Sequence, residues 1–195
     1  MERKTYALHI TFLEPVLGTQ PQKDVATEYT QDKARDAGLD VSDELETLPE
    51  MLEKGTTAFH KKDGKPIYYD YMVKGFMKEA GSTFNGAQNV KHLRAKVDNF
   101  VFVFPRQIPL TMPDNAKVEY LERPLRAQTA QGPRTSLARS EMLPAGVEFS
   151  CELVVLSIVI TEKLLRELLD YGAFKGLGQW RNGSYGRFSY TLNAK

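Results

Sequence analysis

Residues 171–188, YGAFKGLGQWRNGSYGRF, carry five of the 14 glycines of the chain. A helical pattern leads into this segment from 162 to 170, and an alternating strand pattern follows it over 184–192. Glycine reaches positive φ without steric cost, and successive exposed N–H groups of such a loop can bind an anion. Because cations and aromatic rings alternate with the glycines, we predict a site for a phosphate-bearing ligand, with a plain chain-reversing turn as the alternative. The predicted contacts are Lys175, Gly176, Gly178, Trp180, Arg181, Gly183, Gly186 and Arg187.

The composition is that of a folded globular protein. The 195 residues suit one large domain, and 42% of them are apolar. The single cysteine, Cys151, lies in an apolar run, so we expect an inert core thiol and a reducing compartment. The longest apolar run, near 153–160, is too short for a membrane span, and no signal-peptide pattern occurs. We therefore expect a cytoplasmic protein without a membrane partner.

The net charge of +1 hides a segregation of charges along the chain. Residues 24–53 hold ten acidic residues against only Lys33 and Arg35, a charge of −8, which leaves +9 for the rest. An acidic insertion on a basic body is compatible with a nucleic-acid partner, although a solvated helical surface is the simpler interpretation. We predict that 21–54 is a helical insertion of two short helices, broken near Gly38.

Periodic patterns predict the other elements. Alternating apolar residues are typical of strands, and apolar residues three and four apart are typical of amphipathic helices. The predicted helices are 71–80, 88–96 and 162–170, the last with Thr161 as its N-cap. The predicted strands are 5–14, 99–104 (buried), 117–121, 147–160 (entering the centre of a sheet) and 184–192.

Residues 123–141, RPLRAQTAQGPRTSLARSE, form a long polar segment without periodicity. A loop of this length in a compact domain is usually functional or disordered. No acidic residue occurs in it before Glu141, and guanidinium groups suit bidentate recognition of phosphate. We therefore predict an Arg-rich hairpin that contacts nucleic acid, with a random linker as the alternative. Its predicted contacts are Arg123, Arg126, Arg134 and Arg139.

The order of elements predicts an α+β fold. Strand, insertion, helix, strand, strand, hairpin, strand, helix and strand follow one another, a plan in which helices pack on one face of an antiparallel sheet. The ferredoxin-like arrangement is its simplest match. We expect a single domain over 1–195, with insertions at 21–54 and 123–141.

Few catalytic chemistries fit the sequence. One cysteine and three scattered histidines exclude a closed zinc site, and neither a P-loop nor a nucleophile elbow occurs. We predict no metal, no cofactor and no catalytic residue. His9, His60 and His92 are candidates for general acid–base chemistry by residue type alone, and a structural His9 and a solvated His60 are the simpler interpretations. The repeated signal is basic residues with interleaved rings, which suit backbone contact and base stacking.

Four stretches together resemble the RAMP superfamily of CRISPR-associated proteins, and most of all the backbone (spine) subunits of its effector complexes. LHITFLEPVLGT resembles the first strand and glycine turn of the family, and GLGQWRNGSYGRF its C-terminal glycine-rich loop. YYDYMVKGFMKEA is similar to the helix signature, in which Lys74 and Gly75 match a Lys-Gly pair and Lys78 stands in for an arginine. The third stretch is similar to the family's hairpin-and-strand segment. The four stretches are 8–19, 68–80, 125–155 and 176–188.

The resemblance implies an RRM-like sheet of ferredoxin type that grips single-stranded RNA by its backbone, with DNA left open. In the spine subunits, identical copies stack along a guide RNA, so copies of this chain or other effector subunits are the implied partners in antiviral defence. By that analogy residues 123–141 are the projecting hairpin, or thumb. The side chains that would touch phosphate are Lys74, Lys78, Arg181 and Arg187.

The sequence departs from the family at two places. In type III spine subunits an aspartate cleaves target RNA, but the corresponding segment here, GTTAF at 55–59, contains no acid. We therefore expect no target cleavage. The small-residue turn before the Lys-Gly pair is replaced by bulky residues that include Tyr69 and Tyr71.

Three functions are consistent with these patterns. The first is a non-catalytic RNA-binding subunit of a CRISPR-type ribonucleoprotein. The second is a RAMP endoribonuclease that processes guide RNA with a histidine as general acid or base. The third is an interaction protein whose acidic insertion docks a basic partner or mimics nucleic acid. We favour the first because the hairpin segment resembles that of a spine subunit.

Overall fold

The computed structural model describes the backbone of residues 2–21, 56–129 and 132–195, without the side chains of 20, 21, 125–129 and 133–136. By their contacts the residues form two compact units. The first comprises 1–16, 60–117 and 143–195, and the second comprises 17–59 and 118–142. Residues 22–55 lie outside the described part, so the acidic helical insertion stays a prediction.

The described residues form a mixed α+β fold, as the element order predicts. The helices are α1 (Asp70–Thr83), α2 (Leu93–Phe100) and α3 (Glu162–Lys175), with short 3-10 turns at Ala87–Asn89 and Arg181–Gly183. The strands are β1 (Lys4–Phe12), β2 (Val16–Leu17), β3 (Gln20–Pro21), β4 (Thr56–Ala58), β5 (His60–Lys62), β6 (Lys65–Tyr69), β7 (Val101–Phe104), β8 (Gln107–Pro109), β9 (Glu119–Thr129), β10 (Gly132–Leu143), β11 (Glu148–Val155) and β12 (Phe188–Ala194).

The first unit is built on a four-stranded antiparallel sheet of order β12–β1–β11–β7. Along the chain, β1 is followed by two helices, then β7 and β11, then α3 and finally β12. A smaller antiparallel sheet of order β5–β6–β8 lies within the same unit. The central position of β11 confirms the prediction made from its apolar run.

One face of the large sheet packs against the helices. Alternate residues of β1 are buried, so that Leu8 and Ile10 are at most 1% exposed while His9 between them is half-buried. Leu168 of α3 and Met77 of α1 are fully buried. Burial of side chains of this size stabilises the fold by about 1.5–3 kcal/mol each. The helical spacing in the sequence therefore identifies the core side of both helices.

Strands β3, β4, β9 and β10 of the second unit belong to a mixed sheet. Strands β9 and β10 pair antiparallel from Glu119↔Met142 to Thr129↔Gly132, and β10 also pairs in parallel with β4. The expected hairpin is thus a pair of long strands rather than an irregular loop. The carboxylate of Glu141, 2% exposed, accepts a hydrogen bond from the amide of Phe59 at 2.9 Å, which fixes β10 to the segment after β4.

Three sequence predictions need correction. The strand at 99–104 was expected to be buried, but Phe102 and Phe104 are 36% and 51% exposed, because they lie on the face of β7 opposite the buried Val101 and Val103. The strand expected to reach 160 ends at Val155, and Ile158 and Val159 after it are exposed. The helix expected at 88–96 begins only at Leu93, since His92 before it has φ 55°.

Other boundaries lie close to those expected. Helix α1 extends the predicted 71–80 to Asp70–Thr83, and Thr161 caps α3 by accepting the amide of Leu164 at 3.2 Å. Helix α3 continues to Lys175, so the glycine-rich loop begins at Gly176. Within the part of the chain that the structure covers, no helix is both long and apolar enough to cross a membrane.

Candidate nucleic-acid interface

A cleft of about 570 Å³ runs along the exposed face of α1 in the first unit. Tyr71, Lys74 and Lys78 line it, and they follow one another at i, i+3 and i+7 on one side of the helix. Arg94 and Asp98 of α2 line the opposite side. Two lysines and an arginine thus share one concave surface, as a polyanion-binding site requires.

A close approach between two helices forms this cleft. A Cβ atom on Gly81 of α1 would lie 3.2 Å from the Cα and N atoms of Arg94, so a side chain here would press α2 away. This contact places Arg94 and, one turn later, Asp98 beside the lysines of α1. The glycine is needed for the geometry of the site although it does not line it.

Two carboxylates partly neutralise the cations of the cleft. Asp98 accepts from Lys78 at 2.9 Å and lies 3.7 Å from Nζ of Lys74. The hydrogen bond from Lys78, followed by the charges of both lysines, holds the pKa of Asp98 below its ordinary value. Glu79 pairs with Arg181 at 2.6 Å. Four cations thus face two carboxylates, which leaves an excess of positive charge. The cations are Lys74, Lys78, Arg94 and Arg181, and the carboxylates are Glu79 and Asp98.

Gly75 lies between the two lysines and has no packing role. No heavy atom outside the helix's own backbone lies within 4 Å of the position a Cβ atom would take, and the residue is exposed. A glycine in the middle of a helix costs about 1 kcal/mol relative to alanine. No close approach within the described residues therefore requires this glycine, and the floor of the cleft is bare backbone.

The glycine-rich loop is closed by its own backbone. Leu177 donates to the carbonyl of Gly186 at 2.9 Å, Gly176 to Gly172 at 2.7 Å, and Gly186 to Pro15 at 2.8 Å. Gly183 and Ser184 also donate within the loop. The expected row of exposed amides is not found at these five positions. A Cβ atom on Gly186 would lie 1.9 Å from the oxygen of Leu177, so the glycines here permit close backbone contact.

The structure brings only some of the loop's predicted contacts to the cleft. Arg181 reaches Glu79 of α1, which lines the cleft. Lys175 instead donates to Asn182 at 3.1 Å, and Arg187 donates to the carbonyl of Phe174 at 3.2 Å. Trp180 packs against Tyr185 with ring centroids 6.5 Å apart. The other predicted loop contacts are Gly176, Gly178, Gly183 and Gly186, which offer backbone alone.

The predicted contacts of the hairpin belong to the second unit. Arg139 lies over the ring of Tyr120 at 4.0 Å and is 3.2 Å from Glu122, so its guanidinium is held against the strand pair. Arg123 is exposed on β9. The side chains of Arg126 and Arg134 lie outside the described residues. A contact between this hairpin and RNA stays a prediction.

The three histidines have different surroundings. His9 lies on the sheet face away from the helices, with Nδ1 2.9 Å from Oγ of Ser150 and Nε2 3.6 Å from Glu148. His60 contacts tyrosines at the start of α1, and His92 is an exposed residue before α2. Among the residues described, no group of three or more His, Cys, Asp or Glu side chains is placed to hold a metal.

Sequence reasoning missed Tyr71, Glu79, Arg94 and Asp98 as members of the cleft. The sequence alone does not join them into one site, because α1 and α2 come together only through tertiary packing. The spacing of Tyr71, Lys74 and Lys78 was visible in the sequence, since neighbours on a helical face are three or four residues apart.

The fold has counterparts among solved structures. A chain in the cryo-EM structure of the Type III-B Cmr-beta complex bound to cognate target RNA is 12% identical, with a TM-score of 0.51 over 99% of this chain and 61% of that one. This chain thus spans less than two thirds of that neighbour's length. A chain of a Type IV-B CRISPR complex is 12% identical, with a TM-score of 0.47 over 97% of this chain and 90% of that one. No family model and no curated protein matches the sequence.

Proposed function

We propose that this chain is a non-catalytic subunit of a CRISPR-type ribonucleoprotein that grips single-stranded RNA by its backbone. The observation that carries the proposal is the basic cleft along α1, with Lys74, Lys78 and Arg94 around an open helical floor. Phosphates would lie against these cations, and the hairpin of 123–141 would contact the strand separately.

The fold supports this assignment. In the first unit, β1 is followed by two helices, β7, β11, α3 and β12, and the sheet order is β12–β1–β11–β7, which supports a ferredoxin-like arrangement. The similarity to a chain of the Cmr-beta complex extends over 99% of this chain, both units included. Because that complex contains target RNA, we take RNA rather than DNA as the nucleic acid, and other effector subunits or further copies of the chain as partners.

The test is the salt dependence of RNA binding. For single strands, the logarithm of the association constant falls with the logarithm of salt concentration by about 0.7 per phosphate contact. The Lys74→Ala/Lys78→Ala double variant should bind labelled single-stranded RNA more weakly and with a slope smaller by about 1.4. Lys163→Ala, an exposed lysine of α3 outside the cleft, is the matched control. Absence of binding by the wild type at low salt would refute the proposal.

A second candidate, RNA cleavage by a histidine general acid–base, has one observation in its favour. His9 lies on a rigid strand with Ser150 at 2.9 Å and Glu148 at 3.6 Å, a setting that can orient an imidazole. Repeat hairpin RNA incubated without metal tests it. Cleavage that His9→Ala abolishes while RNA binding persists would replace the non-catalytic assignment.

A further inference from the structure

The cleft has at its end an aromatic residue that phosphate binding does not explain. Tyr71 lies in the first turn of α1 and is 55% exposed. It lines the same cleft as Lys74 and Lys78, on the same helical face. A large aromatic side chain that is exposed beside a cationic cleft is the arrangement that single-strand-binding proteins use for bases and backbone together.

Two contacts hold the side chain of Tyr71 in one orientation, and a third holds its backbone. Its ring stacks on that of Tyr69, with centroids 5.4 Å apart and an interplanar angle of 12°. Its hydroxyl lies 3.2 Å from Nε2 of His60, and its amide donates to the carboxylate of Asp70 at 2.8 Å. Tyr71 is therefore ordered before any ligand arrives.

The supporting residues are themselves fixed. The ring of His60 meets that of Tyr69 edge-on at 4.7 Å, and Gln107 of β8 lies 3.5 Å from the hydroxyl of Tyr69. Burial lowers the pKa of His60, which favours the neutral imidazole, and the neutral ring has a nitrogen that can accept from Tyr71. An aromatic ring that is already immobilised loses little conformational entropy when a ligand stacks on it.

We propose that Tyr71 is a stacking platform for an unpaired nucleobase, at the end of the cleft whose lysines hold the backbone. The inference rests on the RNA-binding function proposed above and narrows its substrate to RNA with an unstacked base, since the bases of a duplex are already paired and stacked. It also gives a role to the bulky residues that occur where the RAMP resemblance leads one to expect small ones.

The experiment compares Tyr71→Leu and Tyr71→Phe with the wild type. The probes are a short single-stranded RNA carrying 5-iodouridine, which crosslinks on irradiation to a ring on which it stacks, and the same RNA in a duplex. Because a stacked base contributes about 1–3 kcal/mol, Tyr71→Leu should bind the single strand about 5- to 150-fold more weakly. The crosslink should map to Tyr71 in the wild type and to the phenylalanine in Tyr71→Phe.

The control is Phe104→Leu, which removes an exposed aromatic ring of β7 outside the cleft and should leave binding unchanged. If the wild type binds single-stranded RNA but Tyr71→Leu binds it equally well, the stacking role is overturned while RNA binding stands. Equal affinity for the duplex, or loss of binding in Tyr71→Phe, would also overturn it, because the ring and not the hydroxyl is proposed to act. A wild type that binds no RNA at low salt would refute the underlying function instead.

Discussion

Replacing Gly75 by alanine should separate the requirements of helix α1 from those of the cleft. The residue lies near the middle of Asp70–Thr83, and the position of its missing Cβ has no neighbour within 4 Å beyond the helix's own backbone. With nothing to clash, the variant should gain most of the helix-propensity difference, about 0.5–1 kcal/mol in the free energy of unfolding. For a chain of this size that is a rise of about 1–4 °C in the thermal midpoint.

The same methyl group should impair RNA binding. It would stand on the floor of the cleft between Lys74 and Lys78, where the proposed backbone contacts lie. We expect an affinity for single-stranded RNA about fivefold lower, equivalent to about 1 kcal/mol. Denaturant unfolding and a fluorescence-anisotropy titration of the same samples measure both effects.

Asn99→Ala provides the matched control for this variant. It also raises helix propensity, in α2, at an exposed position outside the cleft, and should stabilise the protein without changing RNA affinity. A Gly75→Ala protein that is less stable than wild type would refute the description of the floor as open space. A more stable protein with unchanged affinity would show that RNA does not lie on this surface.

Three further predictions concern stability and reactivity. Gly186→Ala should destabilise the first unit by at least about 3 kcal/mol, because its Cβ would overlap the oxygen of Leu177 at a φ of 70°, and a normal unfolding curve for this variant would contradict the packing of the loop. Cys151 should react with a thiol reagent only after denaturation, because burial raises its pKa to about 12; rapid labelling of the native protein would argue against its place in the core. Burial lowers the pKa of His60 below the ordinary 6.5, so the unfolded chain takes up more protons than the folded one as pH falls. The contribution of the neutral His60 to the free energy of unfolding is therefore present above about pH 6.5 and is lost as pH falls through the folded-state pKa. Between about pH 7.5 and about pH 5.5, the free energy of unfolding should therefore fall less in His60→Gln than in wild type. An equal fall in both proteins would contradict this role of the histidine.

Local patterns in the sequence identify much of the fold. The helical spacing of Val73, Phe76 and Met77 and the capping residue Thr161 give helices that the structure contains. The strand predicted for β11 extends too far, because the apolar residues of the sequence continue from Leu156 to Ile160. Composition alone does not show where the chain leaves the sheet. The exposure of Phe102 and Phe104 depends on which face of the sheet is covered, and that is a property of the tertiary fold.

The candidate site was accessible to sequence reasoning only in part. Lys74 and Lys78 are a helical turn apart and were identified, but Arg94 and Asp98 join them only because α2 packs at Gly81. The glycines of the C-terminal loop were visible as a cluster, yet the sequence did not show whether their amides face a ligand or one another. Tyr71 looked like a departure from a family pattern, and its contacts with Tyr69 and His60 require the fold.

The position of β1 between β11 and β12 has a consequence for synthesis on the ribosome. Leu8 pairs with Cys151 on one side and with Leu192 on the other, so both neighbours of the first strand are made long after it. Until then its apolar side chains have no sheet to join, and closure of so many long-range pairs is slow. The nascent chain therefore exposes the apolar side chains of β1 until β11 and β12 are made, and a holdase chaperone or an early-binding partner would have most effect there.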